Sequence, residues 1–241
     1  MTGESWVEKF RPSEWSEIQG NNKSVKQIRN WVENWEIGDK PQLLHGPPGT
    51  GKTTTAYVAA QQLDVPLNKV NLSDKRRGAE LKQVAKSTMS SPPDHDIQIV
   101  LLDEIDNMYH SVNKKPLYDA LRSPRNPIIV TANDKYEVPD AVKRACDTHK
   151  FKLGVRSRKA KIKEIAAEED IELSPSELKR LAQRPDLRSA INDLQQSAGS
   201  NTPVGEDHRT WSEGEFSAID ALLSGEDEEW KKSIGFVDET F

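Results

Sequence analysis

Short apolar stretches alternate with segments of helical periodicity along the first two thirds of the chain. The apolar stretches predict strands at residues 42–45, 66–72, 97–102, 127–132 and 148–153. Apolar residues spaced three and four apart predict helices before and between them, at residues 21–35, 55–63, 79–89 and 114–122. Strands that alternate with helices are typical of a parallel sheet covered on both faces. The pattern therefore predicts an α/β fold with a doubly wound parallel sheet.

The pattern changes after Gly154, where helical segments follow one another without strands. They cover residues 157–169, 174–184 and 186–197. The second begins with Ser174-Pro175-Ser176-Glu177, a capping box with proline at the first helical position. We therefore predict a first domain at residues 1–154, a small helical domain at 155–198, and an acidic linker and tail at 199–241 with one possible helix at 211–223.

Composition and charge exclude several classes of protein. The 241 residues carry a net charge of −5 and contain no apolar run of membrane-spanning length or signal-peptide core. The single cysteine, Cys146, excludes an internal disulfide and a cysteine-built zinc site. We therefore expect a cytoplasmic protein with no membrane partner. Residues 201–241 hold eleven acidic and three basic residues, so any contact with nucleic acid would come from local basic patches on residues 1–200.

The turn after the first predicted strand is rich in glycine and ends in Lys52 and Thr53. It fits the pattern G-x-x-x-x-G-K-[ST]. In such a loop the amide groups converge on an anion, the lysine suits the β- and γ-phosphates, and the hydroxyl suits Mg²⁺. The simpler alternative is a turn that only joins a strand to a helix. The flanking elements favour a site for ATP and Mg²⁺ made by Gly46, Pro47, Pro48, Gly49, Thr50, Gly51, Lys52, Thr53 and Thr54.

Acidic and amide side chains follow two of the predicted strands. Asp103 and Glu104 come directly after stretch 97–102, and Asn133 follows stretch 127–132. In a doubly wound sheet, ligands bind at the carboxyl ends of the strands. There Asp103 suits a Mg²⁺ shell, Glu104 suits a general base, and Asn133 suits a water-orienting amide. The alternatives are solvated carboxylates at a strand end and an asparagine that starts a turn.

These motifs together resemble the AAA+ ATPases of the clamp-loader branch, and within it the large subunit of archaeal replication factor C. The resemblance spans roughly residues 5–198. Four segments carry the narrower likeness. Residues 6–12 resemble the family pattern W-x-E-K-Y-R-P, and residues 71–76 resemble N-A-S-D-x-R. Residues 127–134 resemble P-I-I-L-T-A-N-D, and residues 185–195 resemble G-D-L-R-x-A-I-N-D-L-Q. The resemblance implies an AAA+ nucleotide-binding core at residues 1–154 and a helical lid at 155–198.

The resemblance also implies roles for residues outside the phosphate loop. The N-terminal box of the family lines the adenine pocket, which implies adenine contacts for Val7, Arg11 and Pro12. The arginine of the last segment is the family's second sensor, which implies that Arg188 reaches the γ-phosphate from the lid. The alternative for Arg188 is an exposed arginine that pairs with an acidic neighbour. The implied catalytic set is Lys52, Glu104, Asn133 and Arg188.

The same resemblance implies partners: small subunits of replication factor C, the sliding clamp PCNA and primer-template DNA. The sequence departs from the family in two respects. It stops about where a C-terminal collar domain would begin, and it has no clear clamp-binding tail. We expect either a fragment or a compact, virus-encoded version, with the clamp contact near residues 84–92.

A basic cluster lies at and just inside the start of the predicted helix 79–89. It consists of Lys75, Arg76, Arg77 and Lys82. Cations at a helix N-terminus suit the phosphates of a DNA backbone and read no sequence. A solvated basic face is the alternative, and the sequence leaves both open.

The stretch Arg144-Ala145-Cys146 bears on how the chain would pair with its neighbours. Small clamp-loader subunits carry an arginine finger in a Ser-Arg-Cys motif at the matching position. Here Ala145, not arginine, precedes the cysteine, as in family large subunits, and Arg144, one residue earlier, could be a displaced finger. On a helix, one residue turns a side chain by about 100°. We therefore expect this chain to receive an arginine finger and not to give one.

The motifs favour an ATPase, and the resemblance implies an ATP-driven clamp-loader subunit that helps to place a sliding clamp on primed DNA. Three alternatives stay open: a small-subunit-like protein, an AAA+ DNA motor such as a helicase or branch-migration ATPase, and a scaffold subunit that binds ATP as a structural ligand. A motor would need a translocation loop or a further DNA-binding domain, and the sequence shows no sign of either. Glu104 argues against the scaffold.

Overall fold

Five parallel strands form one sheet in the order β2-β3-β4-β1-β5. The computed structural model describes residues 5–72, 90, 92, 94–108 and 114–200. All five strands lie close to the predicted stretches, and every neighbouring pair is parallel, so the doubly wound parallel sheet is confirmed. Their bounds are β1 Gln42–His45, β2 Leu67–Asn71, β3 Ile99–Asp103, β4 Ile128–Ala132 and β5 Asp147–Lys150.

Successive residues of the central strands point to opposite faces of the sheet, and each face has its own apolar cluster. Val100 and Leu102 pack in one cluster, whereas Ile99 and Leu101 pack in the other. Because both faces are covered, the strand β3 is fully buried, which explains its continuous apolar sequence. The helices on the two faces therefore hold the carboxyl ends of the strands in a fixed arrangement.

The helices agree with the periodicity except for two short ones that it did not predict. These two, Trp6–Lys9 and Asp140–Ala145, are four and six residues long. They are too short to show two turns of apolar spacing. No described helix has the length and apolar character that a membrane crossing requires. The helices are α1 Trp6–Lys9, α2 Asn22–Glu33, α3 Lys52–Leu63, α4 Lys115–Arg122, α5 Asp140–Ala145, α6 Val155–Glu168, α7 Pro175–Ala182 and α8 Leu187–Ser200, and the two that were missed are α1 and α5.

The last three helices, α6 to α8, pack around a third apolar cluster and form a helical lid. The capping box predicted at the start of α7 is confirmed. The Glu177 amide donates to Ser174 Oγ over 3.2 Å, and Glu177 Oε2 accepts from the Ser174 amide over 2.8 Å. The two groups satisfy each other's free hydrogen-bonding positions at the helix start.

The N-terminal arm, residues 5–12, packs on the helical lid. Phe10 is buried in the lid cluster, and Trp6 and Val7 pack against it. The Trp6 amide donates to Gln195 Oε1 over 3.0 Å, and Lys9 forms an ion pair with Glu169. Apolar periodicity cannot reveal this partner, because the contact joins residues about 160 to 190 positions apart. The domain limits at residues 154 and 198 stay predictions.

Gly46 lies at a close approach between the phosphate loop and the chain after β5. Its φ is 148°, and a Cβ there would lie 2.0 Å from the carbonyl oxygen of Phe151. Real Cβ atoms do not approach a backbone oxygen so closely, so a side chain would push the loop away from β5. The first glycine of the loop is therefore required by the fold itself, before any ligand is considered.

We expect Gly46→Ala to lower the free energy of unfolding by about 3 kcal/mol, because of the backbone clash and the unfavourable φ. The matched control is Gly154→Ala, since nothing lies within 4 Å of a Cβ at Gly154. That variant should lose less than about 1 kcal/mol, through the weaker helix cap alone. Urea unfolding without nucleotide measures both. Equal losses would contradict the close approach.

Candidate functional site

A cleft of about 260 Å³ lies at the carboxyl ends of the strands, between the sheet, the N-terminal arm and the lid. The structure brings nearly all of the predicted site residues together on its wall. Among the residues predicted to bind nucleotide or Mg²⁺, the two exceptions are Gly46 and Pro47, whose carbonyl groups accept hydrogen bonds from Lys52. The predicted residues that line the cleft are Val7, Arg11, Pro12, Pro48, Gly49, Thr50, Gly51, Lys52, Thr53, Thr54, Asp103, Glu104, Asn133 and Arg188.

Lys52 is buried at the start of α3 and is held by three oxygens. Its Nζ donates to the carbonyl groups of Gly46 and Pro47 over 2.6 and 2.9 Å, and to Asn133 Oδ1 over 3.1 Å. Burial lowers the pKa of Lys52 to about 8, although the nearby charge of Asp106 opposes the shift. The ammonium therefore lies at a fixed point of the cleft, where an anion would meet it.

The Asp103 carboxylate is the centre of a second hydrogen-bond network. Oδ1 accepts from Thr131 over 2.5 Å and from Thr53 over 3.2 Å, and Oδ2 pairs with Lys69 Nζ at 2.8 Å. Burial alone would raise the pKa of Asp103, but the bonds from Lys69, Thr131 and Thr53 outweigh it, so the pKa lies below its ordinary value. The carboxylate is thus ionised and fixed in orientation.

The oxygens of Thr53 and Asp103 fit a Mg²⁺ ion that is shared with a nucleotide. Magnesium prefers hard oxygen ligands, keeps several waters, and takes one or two protein oxygens besides phosphates. A hydroxyl and a carboxylate oxygen 3.2 Å apart at the mouth of a phosphate loop form such a pair. No group of three or more acidic, histidine or cysteine side chains that could hold a metal without phosphates occurs among the described residues.

Glu104 has a strained backbone directly after β3. Its φ and ψ are 58° and 51°, a left-handed conformation that non-glycine residues seldom adopt. Its amide donates to Thr131 Oγ1 over 3.0 Å, which helps to hold the chain there. Strain of this kind clusters at functional sites. Glu104 lies on the cleft wall beside Asp103, with its side chain only partly buried.

Asn133 joins the two networks at the end of β4. Its side chain accepts from Lys52, and its amide donates to Asp106 Oδ2 over 2.8 Å. The amide of Asp134 donates to the same oxygen over 3.0 Å. Asp106 therefore fixes the loop that presents Asn133, although it does not line the cleft itself.

The arm reaches the cleft through Arg11, whose guanidinium lies 4.6 Å from the centre of the Tyr57 ring on α3. Arg11 also pairs with Glu8 over 2.5 Å. The hydrogen bond from Arg11 lowers the pKa of Glu8 below its ordinary value, and the more distant charges of Arg188 and Lys69 act in the same direction. The arm, which packs on the lid, is thereby tied to the helix that follows the phosphate loop.

The lid touches the phosphate loop at Gly49. A Cβ on Gly49 would lie 2.7 Å from the Cβ of Asp186 and 2.9 Å from the amide nitrogen of Leu187, at the start of α8. Arg188, the next residue, is exposed and lines the cleft. The lid thus places Arg188 on the wall of the same cleft as the loop, and its reach to a γ-phosphate stays a prediction.

Three residues with clear structural roles at the site were not predicted: Lys69, Asp106 and Thr131. Thr131 connects Asp103 to Glu104, and Lys69 pairs with Asp103. One feature of the sequence could have indicated Lys69. Strand alternation places it on the same face of the sheet as Asn71, at the carboxyl end of β2. The contacts themselves depend on strand order, which local sequence does not give.

Several predicted residues lie outside the described part of the chain. They include the basic cluster Lys75, Arg76, Arg77 and Lys82, most of the clamp-contact stretch 84–92, and the helices at 79–89 and 211–223. Arg144 is described: it is exposed near the end of α5, with Cys146 buried after it.

The chain is similar in sequence to archaeal replication factor C large subunits. It is 32% identical to the one from Methanocorpusculum labreanum over 229 residues, which cover 91% of this chain and 48% of that protein. It is 35% identical to the one from Thermococcus kodakarensis over 207 residues, which cover 81% of this chain and 40% of that protein. The chain thus spans about half the length of the curated relatives it matches.

Solved structures show the fold. The Holliday junction branch migration motor RuvB from Thermotoga maritima superposes with a TM-score of 0.62 and 20% sequence identity, over 79% of this chain and 65% of RuvB. At this level of sequence identity, the similarity shows the fold alone. Residues 42–153 also match the family described as "ATPase family associated with various cellular activities (AAA)". Residues 42–153 are therefore similar to AAA domains, and the fold of the chain is that of the AAA+ P-loop ATPases, with a helical lid after the core.

Proposed function

We propose that this chain is an ATP-hydrolysing subunit of a clamp loader, similar in role to the replication factor C large subunit. One observation carries the proposal: Lys52, Asp103, Glu104, Asn133 and Arg188 line a single cleft in a chain that is about a third identical to those subunits. The nucleotide would be ATP, bound with Mg²⁺. This chain covers about half of the length of those subunits, so the activity and the partners of the whole protein are part of the proposal.

The phosphates would bind where the chain already offers positive charge. The amides of the loop and the N-terminus of α3 attract anions, and Lys52 would exchange its bonds to Gly46 and Pro47 for bonds to the β- and γ-phosphates. The base would lie between arm and lid, against Val7 and Pro12. A closed lid would bring Arg188 to the γ-phosphate.

Hydrolysis would then need a base and a positioned water molecule. Glu104 would accept the proton of the attacking water, and Asn133, which Lys52 and Asp106 fix in place, would orient that water. Thr53 and Asp103 would hold Mg²⁺, which supplies charge neutralisation at the phosphates. Because Glu104 is present at the site, turnover is a better proposal than a scaffold that keeps ATP as a structural ligand.

The proposed partners are small subunits of replication factor C, the sliding clamp and primer-template DNA. They follow from the similarity to the large subunits. In this proposal, ATP binding tightens the assembly around clamp and DNA, and hydrolysis releases them. Partner subunits, clamp and DNA would each speed hydrolysis. The basic cluster at residues 75–82 remains the proposed DNA contact.

Lys52→Ala and Glu104→Gln should separate binding from turnover. Lys52→Ala loses a charge-assisted bond to the phosphates and should weaken ATP binding about tenfold to a hundredfold. Glu104→Gln should keep the affinity but slow hydrolysis by about a hundredfold or more, because the base is lost. Calorimetric binding and phosphate release measure the two effects, with the exposed Lys23→Ala as control. Normal hydrolysis by Glu104→Gln would contradict the proposal that Glu104 is the general base.

The affinity for nucleotide should fall as the pH rises above about 8. Without nucleotide the pKa of Lys52 is about 8, and bound phosphates would raise it, so binding above that pH requires proton uptake. Well below it, Lys52 is already charged and no uptake is expected from this group. Calorimetry just above pH 8, in two buffers that differ in ionisation enthalpy, measures the uptake. A binding heat independent of the buffer would contradict this.

Arg144→Ala should leave the ATPase rate of the assembled complex nearly unchanged, because Arg144 is proposed not to act as a finger. Small subunits that carry a finger should instead accelerate hydrolysis by this chain, by up to about 10³-fold or more. Steady-state ATPase assays of the complex measure both. If Arg144→Ala silences a partner's site while the complex still assembles, the small-subunit alternative becomes the better proposal.

A further inference from the structure

A second lysine reaches the site from the strand next to the one that ends in Asp103. Asn71 of β2 lies opposite Asp103 of β3, so Lys69, two residues earlier, lies on the same face of the sheet. Lys69 Nζ is 2.8 Å from Asp103 Oδ2. The Lys69 side chain is 37% exposed and that of Asp103 only 9%. A cation on a mobile stem thus contacts a carboxylate that is held almost wholly inside the protein.

The contact with Lys69 differs from the other two contacts of the same carboxylate. Thr53 and Thr131 donate to Oδ1 from neutral hydroxyl groups. Lys69 brings a full positive charge to Oδ2. The two threonines can therefore keep Asp103 in its orientation without Lys69, whereas Lys69 brings a positive charge into direct contact with the carboxylate.

A divalent cation at Thr53 and Asp103 would share that carboxylate with the ammonium. Two cations close to one carboxylate repel each other, and in a partly buried site water screens this repulsion incompletely. Lysine has a flexible four-carbon stem and a compact charge, so it can leave the carboxylate towards the open cleft. Lys69 lines that cleft, which gives the ammonium a path towards bound phosphates.

We propose that Lys69 is a positioning residue that occupies the Asp103 carboxylate while no metal is present and leaves it when the metal–nucleotide complex binds. This inference rests on the proposed nucleotide site. Lys69 and Mg²⁺ compete for the Asp103 carboxylate, and the coupling between them is reciprocal. Lys69 therefore lowers the affinity for Mg²⁺ by the same factor by which Mg²⁺ weakens the ion pair of Lys69 with Asp103. Lys69 therefore sets the Mg²⁺ concentration at which nucleotide binds.

The test follows nucleotide binding, so it does not depend on hydrolysis. Adenylyl imidodiphosphate, a non-hydrolysable ATP analogue, is titrated into the full chain over a series of free Mg²⁺ concentrations, with EDTA as the metal-free point. Lys69→Met keeps the length of the side chain and removes its charge, and Lys69→Arg keeps the charge. Lys163→Met, an exposed change on the lid helix α6, is the matched control. Lys69→Gln replaces Lys69→Met if the latter does not fold.

The half-saturating Mg²⁺ concentration should fall about threefold to tenfold in Lys69→Met. It should stay at or above the wild-type value in Lys69→Arg and should not change in Lys163→Met. In EDTA, Lys69→Met should bind the analogue more weakly than the wild type, since the negative charge of Asp103, no longer paired with Lys69, then repels the phosphates.

Other outcomes separate this inference from the proposed function. An unchanged Mg²⁺ requirement in Lys69→Met, with normal binding of the analogue, overturns the role of Lys69 and leaves the nucleotide site intact. A raised requirement together with a lower melting temperature overturns it too, because Lys69 would then only support Asp103. Failure of the wild type to bind the analogue at any Mg²⁺ concentration overturns the nucleotide site itself, and this inference with it.

Discussion

A lysine ammonium buried beneath the phosphate loop is the constraint on which the site depends. Burying a charge without partners is costly, and Lys52 avoids that cost by donating to two loop carbonyls and to the side-chain oxygen of Asn133. The loop must fold back over α3 to supply those carbonyls, which in turn requires Gly46 at its close approach to Phe151. The same geometry leaves Lys52 on the wall of the cleft.

The strand order explains why two hydrogen-bond networks meet at this point. β4 lies between β3 and β1, and parallel strands bring their carboxyl ends to one edge of a sheet. Asn133, after β4, therefore contacts Lys52, which follows β1. Thr131, within β4, contacts Asp103 at the end of β3. A substitution at the end of β4 would thus disturb both the hydrogen-bond network of Lys52 and that of Asp103.

Local sequence predicted the parts of this structure that depend on local rules. Continuous apolar strands, the glycine pattern of the loop and the Ser174 capping box each follow from neighbouring residues, and all are present. The packing of the arm on the lid was missed because it joins distant segments. Lys69 was missed because it lies on the edge strand β2, where a lysine is ordinary, and only strand order shows what it touches.

The central claim is that one preformed cleft binds a nucleotide between core, arm and lid. A crystal structure of the chain grown with Mg²⁺ and a saturating non-hydrolysable ATP analogue tests it most directly. We expect one nucleotide per chain, with its phosphates on the loop from Gly46 to Thr53 and its base between Val7 and the lid. An empty cleft under those conditions, or a nucleotide bound elsewhere on the chain, would contradict the claim.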